Sequence, residues 1–279
     1  MSKLVIETDI GRDADDFFAL LYFLGRGEDL EAICVSPGDY DQVAIVKALL
    51  KCFGLDTPVF TPANRINKPS ISSYHKWLIS EMGGKGEMEP DGHEEAITKE
   101  PVELFVCGPA KMAHLFKPTK ITFQGGFVPY ALYRPKITLD KFEGLTACPT
   151  FNLGGTKSNV RDILLNAPVE HRWVGKNICH SVVYTPEVHS LCPRGGPTAL
   201  QLHRKAVERY ISEKGAKAFH DPLAALLSRN VDLGIWLQAK PAMIRKGEWA
   251  AIPTTEEQYS LVELTDSPWQ EYFKGLSGK

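Results

Sequence analysis

The chain opens on a short apolar run, Leu4-Val5-Ile6, that breaks at Glu7; a second apolar run, Phe17 to Leu24, follows a polar stretch. This alternation recurs. Apolar stretches at Lys3–Ile6, Leu30–Val35, Val102–Val106, Lys120–Phe123 and Asn177–Tyr184 predict strands. Helical spacing predicts helices at Asp16–Leu24, Gln42–Phe53, Lys111–Phe116, Ser158–Asn166, Ala199–Glu213 and Pro222–Ser228. Strands alternating with helices predict the α/β class, with a mainly parallel open sheet covered by helices on both faces. Residues 64–101, rich in Gly, Lys, Glu and Pro, read as a surface excursion with some helix around Tyr74–Met82, and residues 186–198 read as a loop. No composition shift marks a boundary, so residues 1–279 are expected to form a single domain.

Composition narrows the class without naming it. A hydrophobic share of 43% and a charged share of 24% are those of a globular protein. A net charge of −2 gives no basic field, so a nucleic-acid partner is not implied. No apolar stretch reaches the length of a membrane span, and no basic-then-apolar leader precedes the first strand. Cys34, Cys52, Cys107, Cys148, Cys179 and Cys192 form no CxxC pair, and several sit in apolar runs. They are expected to be reduced thiols, which places the chain in the cytoplasm.

The candidate chemistry lies where the first strand ends. Glu7-Thr8-Asp9-Ile10-Gly11-Arg12-Asp13-Ala14-Asp15-Asp16 packs five carboxylates into ten residues. Converging carboxylates repel one another unless a cation holds them. A solvated acidic turn is the plain alternative. The position, at the carboxyl end of a strand in an open sheet, favours a ligand site and a bound divalent metal. An EF-hand is excluded, because its twelfth position counted from Asp9 is Leu20. A D-x-D-x-T phosphatase would need Asp where Glu7 stands. A second constellation, Phe219-His220-Asp221-Pro222, reads as a helix start capped by Asp221, with a proton donor beside another carboxylate.

The first cluster resembles the D-T-D-x-G-x-D-x-D-D motif of the nucleoside hydrolases, the inosine-uridine-preferring superfamily, and His220-Asp221-Pro222 resembles that family's H-D-P helix start. Between them, in order, Ser36-Pro37-Gly38-Asp39 resembles a loop that usually carries Gly-Asn. Cys107-Gly108-Pro109-Ala110-Lys111-Met112 resembles a G-P-L-T-N-I turn, and Gln124-Gly125-Gly126 an M-G-G strand end. Phe151-Asn152 resembles an E-F-N segment, and Val174-Gly175 to His180 a G-L-D-V-T-H stretch.

The resemblance implies a Rossmann-like sheet, Ca²⁺, a nucleoside or nucleotide substrate and a homodimer or homotetramer. It implies Asp9, Asp16 and Asp221 as metal ligands, with Cys107 giving its backbone carbonyl. It places Asp15 and Asn152 on the ribose 2′-hydroxyl and Asp221 on the 3′-hydroxyl. Asp9 becomes the base that activates water, and His220 the group that helps the departing base. The chain also departs from the pattern. Glu7 replaces the first Asp, Asp39 adds an acid near the expected pocket, and Thr150 stands where a Glu helps bind the 5′-hydroxyl. The expected substrate therefore includes a 5′-modified or phosphorylated nucleoside, met by Arg134 or Lys136. A non-catalytic nucleotide sensor on the same fold is the competing reading. The five tryptophans, including Trp77, read as packing, although Tyr74, His75 or Trp77 could cover a base. His180 reads as a satisfied core residue.

Overall fold

A computed structural model describes residues 3–63, 71–97 and 100–278. Strands β1 (Lys3–Thr8), β2 (Leu30–Val35), β3 (Val59–Thr61), β4 (Gly92–His93), β5 (Pro101–Val106), β6 (Lys117–Gln124), β7 (Cys148–Pro149), β8 (Glu170–Val174), β9 (Val183–Tyr184), β10 (Lys217–Ala218), β11 (Gly234–Arg245), β12 (Glu248–Pro253) and β13 (Gln258–Leu264) are joined through helices α1 (Asp15–Arg26), α2 (Tyr40–Cys52), α3 (Ser73–Glu81), α4 (Phe151–Gly155), α5 (Ser158–Leu165), α6 (Lys176–Ser181), α7 (Pro186–Leu191), α8 (Thr198–Lys214), α9 (Asp221–Arg229) and α10 (Trp269–Leu276). Among the described residues an eleven-stranded sheet runs β4-β3-β2-β1-β5-β6-β8-β13-β11-β12-β7, and β9 pairs with β10 apart from it. From β4 to β13 every pairing is parallel; β13-β11-β12-β7 is antiparallel.

Alternation along β1 explains why the sheet is covered on both sides. Leu4 and Ile6 join the core beneath α1, α2 and α8 to α10, while Val5 joins the core beneath the 110–116 turn and α5. Helix α1 is buried from Asp15 to Leu24, lying between the sheet and the outer helices. The chain leaves β1 toward β2 on one side and pairs with β5 on the other, so the strand order reverses beside β1. At such a reversal the carboxyl ends of the strands leave a crevice for a ligand.

Several expectations need correction. Asn177–Tyr184 is helix α6 followed by the two-residue β9; the sheet strand is β8, just upstream. Its sequence, Glu-His-Arg-Trp-Val, disguises the alternation, because the buried position His171 is polar. The His171 ring nitrogens lie 2.8 Å from the carbonyls of Val169 and Leu164, one of which takes its N–H, and the ring stacks on Trp173. Lys111–Phe116 holds only a 3₁₀ turn at Ala113–Leu115. Here the Glu7 carboxylate accepts the backbone N–H groups of Lys111, Met112 and Ala113, which fixes the turn at the end of β5. The 186–198 loop contains α7, capped by the Thr185 hydroxyl. The 64–101 excursion contains α3 as expected, while its residues 64–70 and 98–99 lie outside the described residues.

An aromatic cluster ties α1 to α8, α10 and the segment before α9. The His203 ring is fully buried, 5.2 Å from Phe18, 5.4 Å from Tyr272 and 6.5 Å from Phe219, the neighbour of His220. Burial, reinforced by His189 and Arg204, pushes His203 down to about 3. The unfolded chain therefore takes up a proton below about pH 6.5 that the folded chain refuses, so stability falls as pH drops toward 3. His203→Phe is expected to lose about 1 kcal/mol at pH 8, from the bond to Tyr184, yet to match or exceed the wild type at pH 5. Parallel melting-temperature profiles from pH 8 to pH 5 would refute this.

Candidate active site

The end of β1 is built as a scaffold for carboxylates. The Thr8 hydroxyl donates to Asp16 Oδ1 and accepts from the Ile10 N–H, so the chain folds back over the start of α1. The Asp9 N–H donates to the same Asp16 oxygen at 3.2 Å. Gly11 takes the turn at φ +138°. Gly108, at the end of β5, lies so close to Asp9 that a Cβ there would sit 2.8 Å from both its backbone nitrogen and Oδ1. Only glycine leaves room there for the Asp9 side chain.

A cavity of about 280 Å³ opens over these strand ends, lined by Asp9, Arg12, Asp13, Asp15, Asp16, Cys107, Gln124, Phe151, Asn152, His220 and Asp221. Two larger cavities, about 460 and 440 Å³, are lined mainly by apolar side chains around Trp269, and Glu263 in the first is paired with Lys136. The chemistry belongs to the smaller one. Asp9, Asp15, Asp16, Asn152, His220, Asp221 and Cys107 thus come together from four separate stretches of chain.

Their charges are strongly coupled. Burial, then the neighbouring Asp9 and Asp15, raises Asp16 well above the carboxylate range. Burial, then Asp16 and Asp15, does the same to Asp221, and burial with Asp13 raises Asp9 to about 7. Asp15 goes the other way. Burial alone would raise it, but Lys217 and His220 outweigh burial and hold it below its usual value. Lys217 Nζ lies 2.8 Å from Asp15 Oδ2 and 3.1 Å from Asp13, and His220 Nδ1 lies 3.0 Å from Asp15 Oδ2. His220 Nε2 is buried without a hydrogen-bond partner among the described residues.

The donor set fits a hard divalent cation. One atom each from Asp16, Asp221 and Cys107 lies within 4.8 Å of the others, all buried. The Cys107 thiol, raised by burial and then by Asp16, stays protonated and donates to Asp16 Oδ1 and the Glu7 carbonyl. Carboxylate oxygens therefore form the binding face. No metal is needed to hold Asp15, which has its own cation.

Other predicted residues fall outside this cluster. Asp39 caps α2 in a reciprocal capping box with Gln42 and does not line the cavity. Gln42 connects that cap to the site by donating to the Ile10 carbonyl. Thr150 lines an adjoining lobe of about 120 Å³ with Gln124, Gly125, Phe151, Asn152, Lys176, His180 and His220. Its hydroxyl is buried without a partner among the described residues. Arg134 is paired with Glu143 and Lys136 with Glu263, so neither reaches either lobe. Tyr74 and His75 are buried, with Tyr74 bonded to the Ala206 carbonyl on α8, and Trp77 lies under Arg209. None of the three covers the cavity. Asp221 is the first residue of α9, one place later than a cap.

No protein-family model matches the chain. An uncharacterised protein of Aquifex aeolicus (strain VF5) is 25% identical over 261 residues, covering 86% of this chain and 87% of that one. Among solved structures, a plant nucleoside hydrolase superimposes with a TM-score of 0.71 at 16% identity, covering 100% of this chain and 99% of that chain. The inosine-uridine preferring nucleoside hydrolase of Bacillus anthracis gives 0.68 at 14% identity, covering 100% and 99%. The fold is that of the nucleoside hydrolases. The same nucleoside hydrolase fold is shared, at a TM-score of 0.61 and 13% identity, by the type III effector protein XopQ, solved in complex with adenosine diphosphate ribose; the likeness covers 99% of this chain and 93% of that one.

Sequence reasoning missed Lys217, Thr8 and Gln124. Gln124 accepts the Asn152 amide on both its backbone and side-chain oxygens and so aims Asn152 into the cavity.

Proposed function

We propose that the chain hydrolyses the N-glycosidic bond of a ribonucleoside or a close derivative, releasing free base and ribose, with Ca²⁺ as its metal. The observation that carries this is the convergence of Asp9, Asp15, Asp16, Asp221, Asn152 and His220 in one cavity at the strand-order reversal of a nucleoside hydrolase fold. Asp9, Asp16, Asp221 and the Cys107 carbonyl would hold the ion. When bound, Ca²⁺ supplies Lewis acidity toward water and sugar hydroxyls and compensates the carboxylate charge.

The remaining chemistry belongs to the side chains. Asp15 and Asn152 hold the 2′-hydroxyl and Asp221 the 3′-hydroxyl, which fixes C1′ against the attacking water. Asp9, which lines the cavity, takes the proton of that water. Cleavage builds positive charge on the sugar, and the surrounding carboxylates stabilise it. Asp15 Oδ2 holds His220 Nδ1 at 3.0 Å and so orients the ring, leaving Nε2, which has no partner among the described residues, as the atom that would meet the departing base. Water attacks directly, so configuration at C1′ inverts. The proposal extends to a cytoplasmic enzyme acting as a homodimer or homotetramer.

A second reading, a non-catalytic nucleotide binder, draws on the likeness to XopQ in its complex with adenosine diphosphate ribose. Release of base and reducing sugar from a panel of nucleosides and 5′-nucleotides separates the two. The proposal expects turnover with Ca²⁺ that chelation stops; binding without release would support the second reading.

A further inference from the structure

The adjoining lobe has the opposite chemistry to the acidic cavity. Its lining contains no carboxylate. It contains Lys176, whose Nζ is held 3.1 Å from the Pro149 carbonyl, and His180, whose Nδ1 lies 2.9 Å from Lys141 Nζ. Because Lys141 can only donate, His180 accepts on Nδ1 and carries its proton on Nε2. Burial, with His220 and the two lysines beside it, holds His180 down at about 4, so it is a neutral donor. Thr150 adds a buried hydroxyl with no partner among the described residues. The Lys176 ammonium, an imidazole N–H and a hydroxyl thus gather around about 120 Å³, with the Lys141 ammonium behind the imidazole.

The two lobes share Gln124, Phe151, Asn152 and His220. A sugar gripped by Asn152 in the acidic lobe therefore has one substituent within reach of the basic lobe. The 1′ substituent must leave, and the 2′ and 3′ hydroxyls are taken by Asp15, Asn152 and Asp221. The 5′ position remains. A neutral hydroxyl needs no ammonium group, whereas a phosphate offers oxygens for all three donors.

Granting the N-glycosidic reading of the acidic lobe, we infer that Lys176, His180 and Thr150, with Lys141 holding His180 in its Nε2–H tautomer, form a subsite for a 5′-phosphate, and that the substrate is a nucleoside 5′-monophosphate. The cation facing the 5′ position is then Lys176, with Lys141 acting through His180, and not Arg134 or Lys136, which are paired elsewhere.

The test compares kcat/KM for a nucleoside and its 5′-monophosphate, in the wild type and in Lys141→Met/Lys176→Met. The wild type is expected to prefer the monophosphate by about 10- to 100-fold, the worth of charge-assisted hydrogen bonds. The double variant should lose most of that ratio, and Arg134→Ala should retain it. Equal or better turnover of the free nucleoside, or a preference that survives the double substitution, would overturn the inference. Calorimetry with ribose 5-phosphate and ribose reads the subsite without turnover. Tighter binding of the phosphate that the double variant loses supports the subsite even if no substrate is hydrolysed, a result that would count against the N-glycosidic reading alone. Equal binding of the two sugars overturns it. Inorganic phosphate should compete with the monophosphate substrate; activation by it would instead mark a site for a free anion and overturn the substrate assignment.

Discussion

Asp9→Ala is expected to abolish base release, lowering kcat/KM on the order of 10⁴-fold or more, while the metal-free protein melts at the same temperature or higher. The two halves follow from one geometry. Asp9 is proposed as both metal ligand and base, so its removal would take away proton transfer, worth roughly 10²–10⁴-fold, and part of the metal grip. Its carboxyl is also raised to about 7, by burial first and by Asp13 next, so the folded metal-free chain strains against its charge. Alanine relieves that strain, as is common where a site is built at the expense of stability. Kinetics and thermal melts on one preparation check both halves. Residual activity within tenfold of the wild type would remove Asp9 from the chemistry. A collapse in melting temperature would make it a structural residue.

Lys217→Met is expected to be among the most destabilising single changes in the chain. Only 6% of Lys217 is exposed, and its ammonium compensates Asp15, itself buried beside Asp16 and Asp221. Breaking a buried pair from one side strands the other charge, at about 3–5 kcal/mol. For a chain of this size that lowers the melting temperature by roughly 10 °C. Asp15→Asn in the same background should restore most of the stability and none of the activity, because it removes the stranded charge together with the proposed 2′-hydroxyl ligand. A single variant that melts like the wild type would show that His220 alone holds Asp15.

How much of this was legible depends on whether the signal was local. The strand at Leu4-Val5-Ile6, the acid cluster after it and the helix from Asp15 were readable because hydrophobic pattern and motif coincide within twenty-six residues. His220-Asp221-Pro222 was readable as a helix start, although its meeting with Asp15 is a matter of topology. Lys217 was not singled out: within Glu213-Lys214-Gly215-Ala216-Lys217 it looks like a solvated cation, and its burial comes from β10 pairing with β9. The only clue was the charge count, since crowded acids call for a cation and Lys217 lies three residues before His220. Asp39 misled in the opposite sense. Its neighbours resemble a ligand loop, yet Asp39 with Gln42 three places on is a capping box, which is what forms. The antiparallel strands β11 to β13 went unread because Lys240 and Pro241 interrupt β11, and their partners lie across the sheet edge.

The central claim is that water directly replaces the base at C1′ in the acidic cavity. The measurement that tests it most directly is real-time proton NMR of the Ca²⁺-loaded protein with a β-nucleoside 5′-monophosphate and the parent β-nucleoside. The account predicts free base appearing together with the α-anomer of the sugar, before mutarotation mixes the anomers. The β-anomer as first product, or intact substrate beside metal-loaded protein, would contradict it.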